Sequence, residues 1–109
     1  MSIRETEIKT GKLRGVAAGN PQIVVYKGIP YAEAPVGKLR WKSPVPKKPW
    51  NGVFDAVRYG NICPQMLPGK ETFYYREFFS CEQDEVQSED CLQLNVWTPA
   101  ETKEERLPV

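Results

Sequence analysis

The sequence predicts a mostly β fold with little helix, and three observations carry that expectation. Ser88 to Pro99, SEDCLQLNVWTP, alternates as a strand does, with Leu92, Leu94 and Val96 on one face and Cys91, Gln93, Asn95 and Trp97 on the other. Ile23-Val24-Val25-Tyr26 is the most β-prone run in the chain. Ten prolines in 109 residues, nearly double the usual share of about 5%, scatter through the middle and disfavour long helices there.

Taken in order, Glu5 to Val16 alternates around Thr10-Gly11, a turn between short strands near Glu7–Lys9 and Lys12–Val16. Gly19-Asn20-Pro21 marks a second turn before the Ile23 run. These three pieces predict a small antiparallel sheet across residues 1–33. Tyr31 reads as a half-buried aromatic whose hydroxyl bonds backbone. Residues 34–59 form a proline-rich connection, in which Pro35, Pro44, Pro46 and Pro49 exclude regular structure and Trp50 to Ala56 adds a short strand. Trp41 and Trp50 are expected to pack a core, and Lys47-Lys48 to form a solvated corner.

Residues 60–90 read as a long loop holding an aromatic run of Phe73, Tyr74, Tyr75, Phe78 and Phe79. Thr72 is placed to cap a helical turn there. The rings either pack that turn onto the body or line a cleft as an apolar lid. Glu82, Asp84, Glu85, Glu89 and Asp90 make an acidic cluster, read as a solvated face because no histidine accompanies it. Residues 91–99 are a buried core strand closed by Pro99, which has no N–H for a ladder. Residues 100–109 are a charged turn and the start of a further strand, Leu107-Pro108-Val109.

With 40% hydrophobic and 27% charged residues, the chain suits one globular domain. Fifteen basic and fourteen acidic residues leave a net charge of +1, so neither nucleic acid nor another polyanion is expected as a partner. No apolar run is long enough to span a bilayer, and no signal peptide is recognised, so no membrane partner and a cytoplasmic location are expected. Cys63, Cys81 and Cys91 are an odd number, and in a reducing compartment they are expected as free thiols.

Catalytic chemistry is hard to place. The chain has no histidine, the side chain that most readily accepts and returns a proton near neutral pH. Ser2, Ser43, Ser80 and Ser88 lie in no Gly-x-Ser-x-Gly context. No phosphate-binding glycine loop or metal spacing is present, so no catalytic, cofactor-binding or metal-binding residue is expected.

The run Glu89-Asp90-Cys91-Leu92-Gln93-Leu94-Asn95-Val96 resembles the Glu-Asp-Cys-Leu-x-Leu-Asn-Val signature of the type B carboxylesterases, which include cholinesterases and bacterial para-nitrobenzyl esterases. Gly28-Ile29-Pro30-Tyr31-Ala32, Ala34-Pro35-Val36-Gly37, Leu39-Arg40-Trp41, Pro44, Trp50, Gly52-Val53 and Cys63-Pro64-Gln65 extend the likeness over nearly the whole chain. The resemblance implies the α/β class, as the N-terminal portion of an α/β-hydrolase fold. It implies a scaffolding and cleft-covering role in a bacterial-type carboxylic-ester hydrolase working through an acyl-serine intermediate. The partners implied are the remainder of the esterase chain and a small-molecule ester.

The resemblance also pairs Arg40 with Glu89 as a structural salt bridge, buried if it is to matter. It matches Cys63 and Cys91 to a disulfide of the secreted relatives, available here on oxidation. It places the aromatic run over a substrate cleft, although Cys81 stands where cholinesterases carry a choline-contacting tryptophan. The serine, histidine, acid and oxyanion loop of the family lie downstream of these blocks, so the 109 residues alone are expected to be inactive. The competing reading is a free-standing, non-catalytic binding or structural module. Exposed core-strand edges would drive such an isolated chain to oligomerise.

Overall fold

The structure, a computed structural model, describes residues 3–78 and 86–109. Two three-stranded sheets organise it, and the chain moves between them at Gly15. Strand β1 (Glu5–Ile8) turns at Thr10-Gly11 into β2 (Gly11–Arg14), antiparallel, with Glu5 opposite Arg14 and Ile8 opposite Gly11. The third strand of this sheet comes from far along the sequence: β5 (Val53–Asp55) lies parallel to β2, pairing Leu13 with Phe54.

Strands β3 (Val16–Ala17) and β4 (Val24–Pro30) begin the second sheet as an antiparallel pair. The Ile23 run therefore does not join the first two strands, which corrects the single N-terminal sheet expected from sequence. Gly15 separates the pieces. Its N–H donates to Arg4 O while the chain beyond it turns to meet Val25. The last strand, β6 (Gln93–Thr98), pairs antiparallel with β4, so the sheet order is β3-β4-β6.

Strand β4 is central. Val24, Val25, Tyr26 and Ile29 are all buried, the two-sided burial of a strand inside a body rather than on its face. Leu13 from the other sheet meets Val24, Tyr26, Ile29 and Ala56 in one core cluster, with Trp50 and Phe54 packed against it. The Trp50 and Phe54 rings lie 5.4 Å apart, tilted by 45°, and Trp50 Nε1–H donates to Lys12 O at 3.0 Å. Tyr26 is the aromatic whose hydroxyl bonds backbone, donating to Ile3 O at 2.7 Å. Tyr31, expected in that role, is half exposed at 50%.

The register of β4 on β6 slips between Tyr26 and Ile29, a bulge built around Gly28. Gly28 has φ +69°, and a Cβ there would sit 2.6 Å from Arg58 O. Its N–H is held by Asn95 Oδ1 at 2.8 Å, from the facing strand.

Strand β6 departs from expectation in burial. Leu94, Val96 and Trp97 are 42%, 41% and 52% exposed, because β4 is the strand's one neighbour among the described residues and nothing covers its face. Between the sheets and β6 runs the irregular, proline-rich stretch, with a 3₁₀ turn at Gly37–Leu39 and, among the described residues, one short helix, α1 (Phe73–Phe78). The expectation of core packing holds for Trp50 and fails for Trp41, which is 96% exposed.

Candidate functional site

The residues that sequence singled out converge on the root of the long connection, where its two ends are clasped to each other and to the start of β6. Ile62 bridges Gln87 in parallel, with Ile62 N–H donating to Val86 O and Ser88 N–H to Ile62 O, both at 3.0 Å. Gln87 Oε1 accepts from Gln65 N–H at 2.9 Å, and Asn61 Nδ2 donates to Asp90 O at 3.0 Å. Asp90 N–H bonds Ser88 Oγ at 3.1 Å, which turns the chain into the strand. Asp90 thus enters the strand with its N–H bonded to Ser88 and its carbonyl to Asn61, and Glu89 O accepts from Cys91 N–H at 3.0 Å.

Arg40 and Glu89 meet across this root, guanidinium Nη2 to carboxylate Oε2. Both side chains are about half exposed, at 53% and 42%. The pair that the resemblance implied is present, and of the two alternatives left open, buried or exposed, the structure shows the half-exposed, hydrated one. Neither partner is enclosed, because β6 has an open face and the 34–59 stretch lies on the surface. Solvent screening brings such a pair to about 0–1 kcal/mol.

Cys63 and Cys91 are brought together as free thiols with sulfurs 2.8 Å apart. The contact with Cys63, then burial, then the nearby Asp90 and Glu89 charges push the Cys91 thiol up to about 11. Cys91 is protonated at neutral pH and a poor nucleophile, which argues against covalent catalysis there. Cys81, and Glu82, Asp84 and Glu85 of the acidic cluster, lie outside the described residues.

Helix α1 starts as its sequence signals. Thr72 Oγ1 accepts from Tyr75 N–H at 3.2 Å and donates to Gly69 O at 2.7 Å, an N-cap tied back to the preceding turn. Of the aromatic run, Phe73 and Tyr74 are 66% and 56% exposed, whereas Tyr75 is partly buried. Packing onto the body therefore does not account for the first two rings. Phe79, and the side chain of Phe78, lie outside the described residues.

Several residues at this root were not anticipated from sequence. Asn95 is the clearest, since its amide fixes the Gly28 bulge. The signal was present, because asparagine is depleted in strands and an internal one asks for a partner. Asn61 and Gln87 act similarly but sit in a loop, where such residues are common and carry no signal. Lys27, whose ammonium lies 4.4 Å from the Tyr59 ring centroid, was equally silent.

As a site, this arrangement clasps the two ends of the connection to each other and to the start of β6. Among the described residues no group of histidine, cysteine or carboxylate side chains could hold a metal ion. No helix among them is long and apolar enough to cross a membrane. A shallow depression of about 170 Å³ between Glu5, Lys12, Val53 and Lys103 is smaller than the usual ligand cleft of roughly 300–1,000 Å³.

Comparison with known proteins gives this scaffold its context. A family model described as "Carboxylesterase family" matches residues 2–109. Acetylcholinesterase of Electrophorus electricus is 40% identical over 107 residues, covering 93% of this chain and 16% of that protein. Para-nitrobenzyl esterase of Bacillus subtilis (strain 168) is 41% identical over 101 residues, covering 91% of this chain and 18% of the relative. A solved PNB esterase structure superposes with a TM-score of 0.74 at 36% identity, over 96% of this chain and 20% of the other. The chain thus spans about a fifth or less of the length of these relatives. The mostly β architecture with one short helix is that of the N-terminal portion of an α/β-hydrolase.

Proposed function

The chain belongs to the carboxylesterase family, and on that premise we propose that it is the N-terminal scaffold and cleft cover of a carboxylic-ester hydrolase. Its work is to root a long connection beside β6 and to present aromatic rings from that connection toward a substrate cleft. The clasp at the root carries this reading. Ile62, Asn61 and Gln65 hold the 86–90 stretch through four hydrogen bonds, while Phe73 and Tyr74 are 66% and 56% exposed. A rigid base under exposed apolar rings is the build of a cover over an apolar cleft.

The intact hydrolase would proceed through an acyl-serine intermediate, with a histidine base and an oxyanion loop supplied outside these residues. The chain itself contains no histidine. A small carboxylic ester and the remaining esterase body are its partners in this reading.

The test is a chimera in which residues 1–109 replace the matching segment of the Bacillus subtilis para-nitrobenzyl esterase. The chimera hydrolyses para-nitrophenyl esters, and the 109-residue chain alone does not. A well-folded chimera without esterase activity, or a chain active by itself, would overturn the proposal.

A further inference from the structure

We infer that Trp41 is the anchor by which this segment docks into an apolar pocket, rimmed by acidic groups, on the esterase body. The inference rests on the scaffold reading above and adds to it the residue and the chemistry of the contact.

The backbone at Trp41 has φ +63°, the left-handed region that bulky L residues rarely adopt. The turn that imposes it is tightly made. Leu39 N–H donates to Val36 O, Arg40 N–H to Gly37 O and Lys42 N–H to Leu39 O, at 3.1, 3.2 and 3.2 Å. Arg40, the preceding residue, is fastened by its guanidinium to Glu89 at the root of β6. The turn is therefore held on one side, and the indole is left 96% exposed. Within the described residues nothing compensates the unfavourable backbone or the hydrated ring. An exposed tryptophan, a large ring on only two rotatable bonds, is the usual form of an interface hot spot.

Two observations say what covers it. The chain spans about a fifth or less of the relatives it matches, and on the scaffold reading the remaining esterase body is the surface that meets the segment. Lys38 and Lys42 flank Trp41 in the same turn of chain, both exposed and with no ion pair among the described residues. They call for an acidic rim around an apolar pocket. A second copy of the chain fits poorly, because two-fold pairing of this turn would set Lys38, Arg40 and Lys42 against the same cations.

The test compares Trp41→Ser, Trp41→Phe and the Lys38→Glu/Lys42→Glu double variant in two settings. In the isolated chain all three leave the melting midpoint unchanged. In the chimera with the Bacillus subtilis esterase body, Trp41→Ser shortens the half-life of ester hydrolysis at fixed elevated temperature by about tenfold or more. Trp41→Phe retains most of the half-life, and the charge reversal shortens it severalfold.

An active chimera indifferent to Trp41→Ser overturns the inference and leaves the scaffold reading standing. Indifference to the charge reversal alone overturns the acidic rim. An inactive parent chimera, by contrast, removes the scaffold reading and this inference with it. An isolated chain that sediments as a dimer, and as a monomer after Trp41→Ser, assigns the anchor to a second copy and overturns the esterase body as its occupant.

Discussion

Replacing Gly28 with alanine should cost the fold about 2–4 kcal/mol, through two separable effects. The first is conformational: at φ +69° an L residue is strained by about 1–2 kcal/mol. The second is steric, since the new Cβ would stand 2.6 Å from Arg58 O and 3.2 Å from Gly60 N, both backbone atoms unable to rotate away. Relief requires the bulge to separate from residues 58–60. That loosens Lys27 N–H on Ala56 O (2.7 Å) and Gly28 N–H on Asn95 Oδ1 (2.8 Å). Weakening two hydrogen bonds adds roughly 1–2 kcal/mol.

Gly37→Ala is the internal control. Its φ is +58°, but nothing lies within 4 Å of the added carbon, so only the conformational cost of about 1–2 kcal/mol applies. Gly19→Ala, with open space and no positive φ, should be neutral or stabilise by up to about 1 kcal/mol. Urea unfolding of the 109-residue chain measures all three, and the Gly28 variant should melt roughly 8–16 °C lower than wild type. Equal losses at Gly28 and Gly37 would refute the steric part, and no loss at Gly28 would refute the reasoning entirely.

Arg40→Ala should lower stability by less than about 1 kcal/mol in urea titration, because the Glu89 pair is half exposed and screened; a loss of 3 kcal/mol would mean a bridge enclosed in solution. Oxidising Cys63 to Cys91 closes a loop of 28 residues and should raise stability by about 3–4 kcal/mol relative to the reduced chain, an effect abolished by Cys63→Ser. Burial raises the Tyr26 phenol above its ordinary 10.0, so the folded state favours the neutral form. That contribution is complete below pH 10 and lost as pH rises through the folded value. Melting midpoints should therefore fall above pH 10, and Tyr26→Phe should flatten that limb of the profile at a cost of about 1 kcal/mol.

Local pattern anticipated the pieces well where the signal was local. The Thr10-Gly11 turn, the strand near Val53, the Thr72 cap and the extended run at β6 all depend on residues close in sequence. The Arg40–Glu89 and Cys63–Cys91 contacts came instead from likeness to a family, since nothing in the spacing of either pair requires them to meet. Asn95 shows the intermediate case: an internal strand asparagine announces that it needs a partner without saying which backbone group supplies it.

The chain by itself determined which segments extend, which turn and where proline forbids a ladder, because those choices follow from φ restrictions and side-chain period within a few residues. It also determined that no histidine-based chemistry resides in these residues. Tertiary structure alone decided that β5 joins β2 in parallel across 41 residues, that β4 leaves the first sheet for the second, and that Gly28 must bulge. It also decided exposure. Trp50 and Trp41 have the same side chain nine residues apart, yet one is packed against Phe54 and the other stands in solvent. Burial depends on which distant surface arrives to cover a residue, and sequence pattern records only that a residue can be covered.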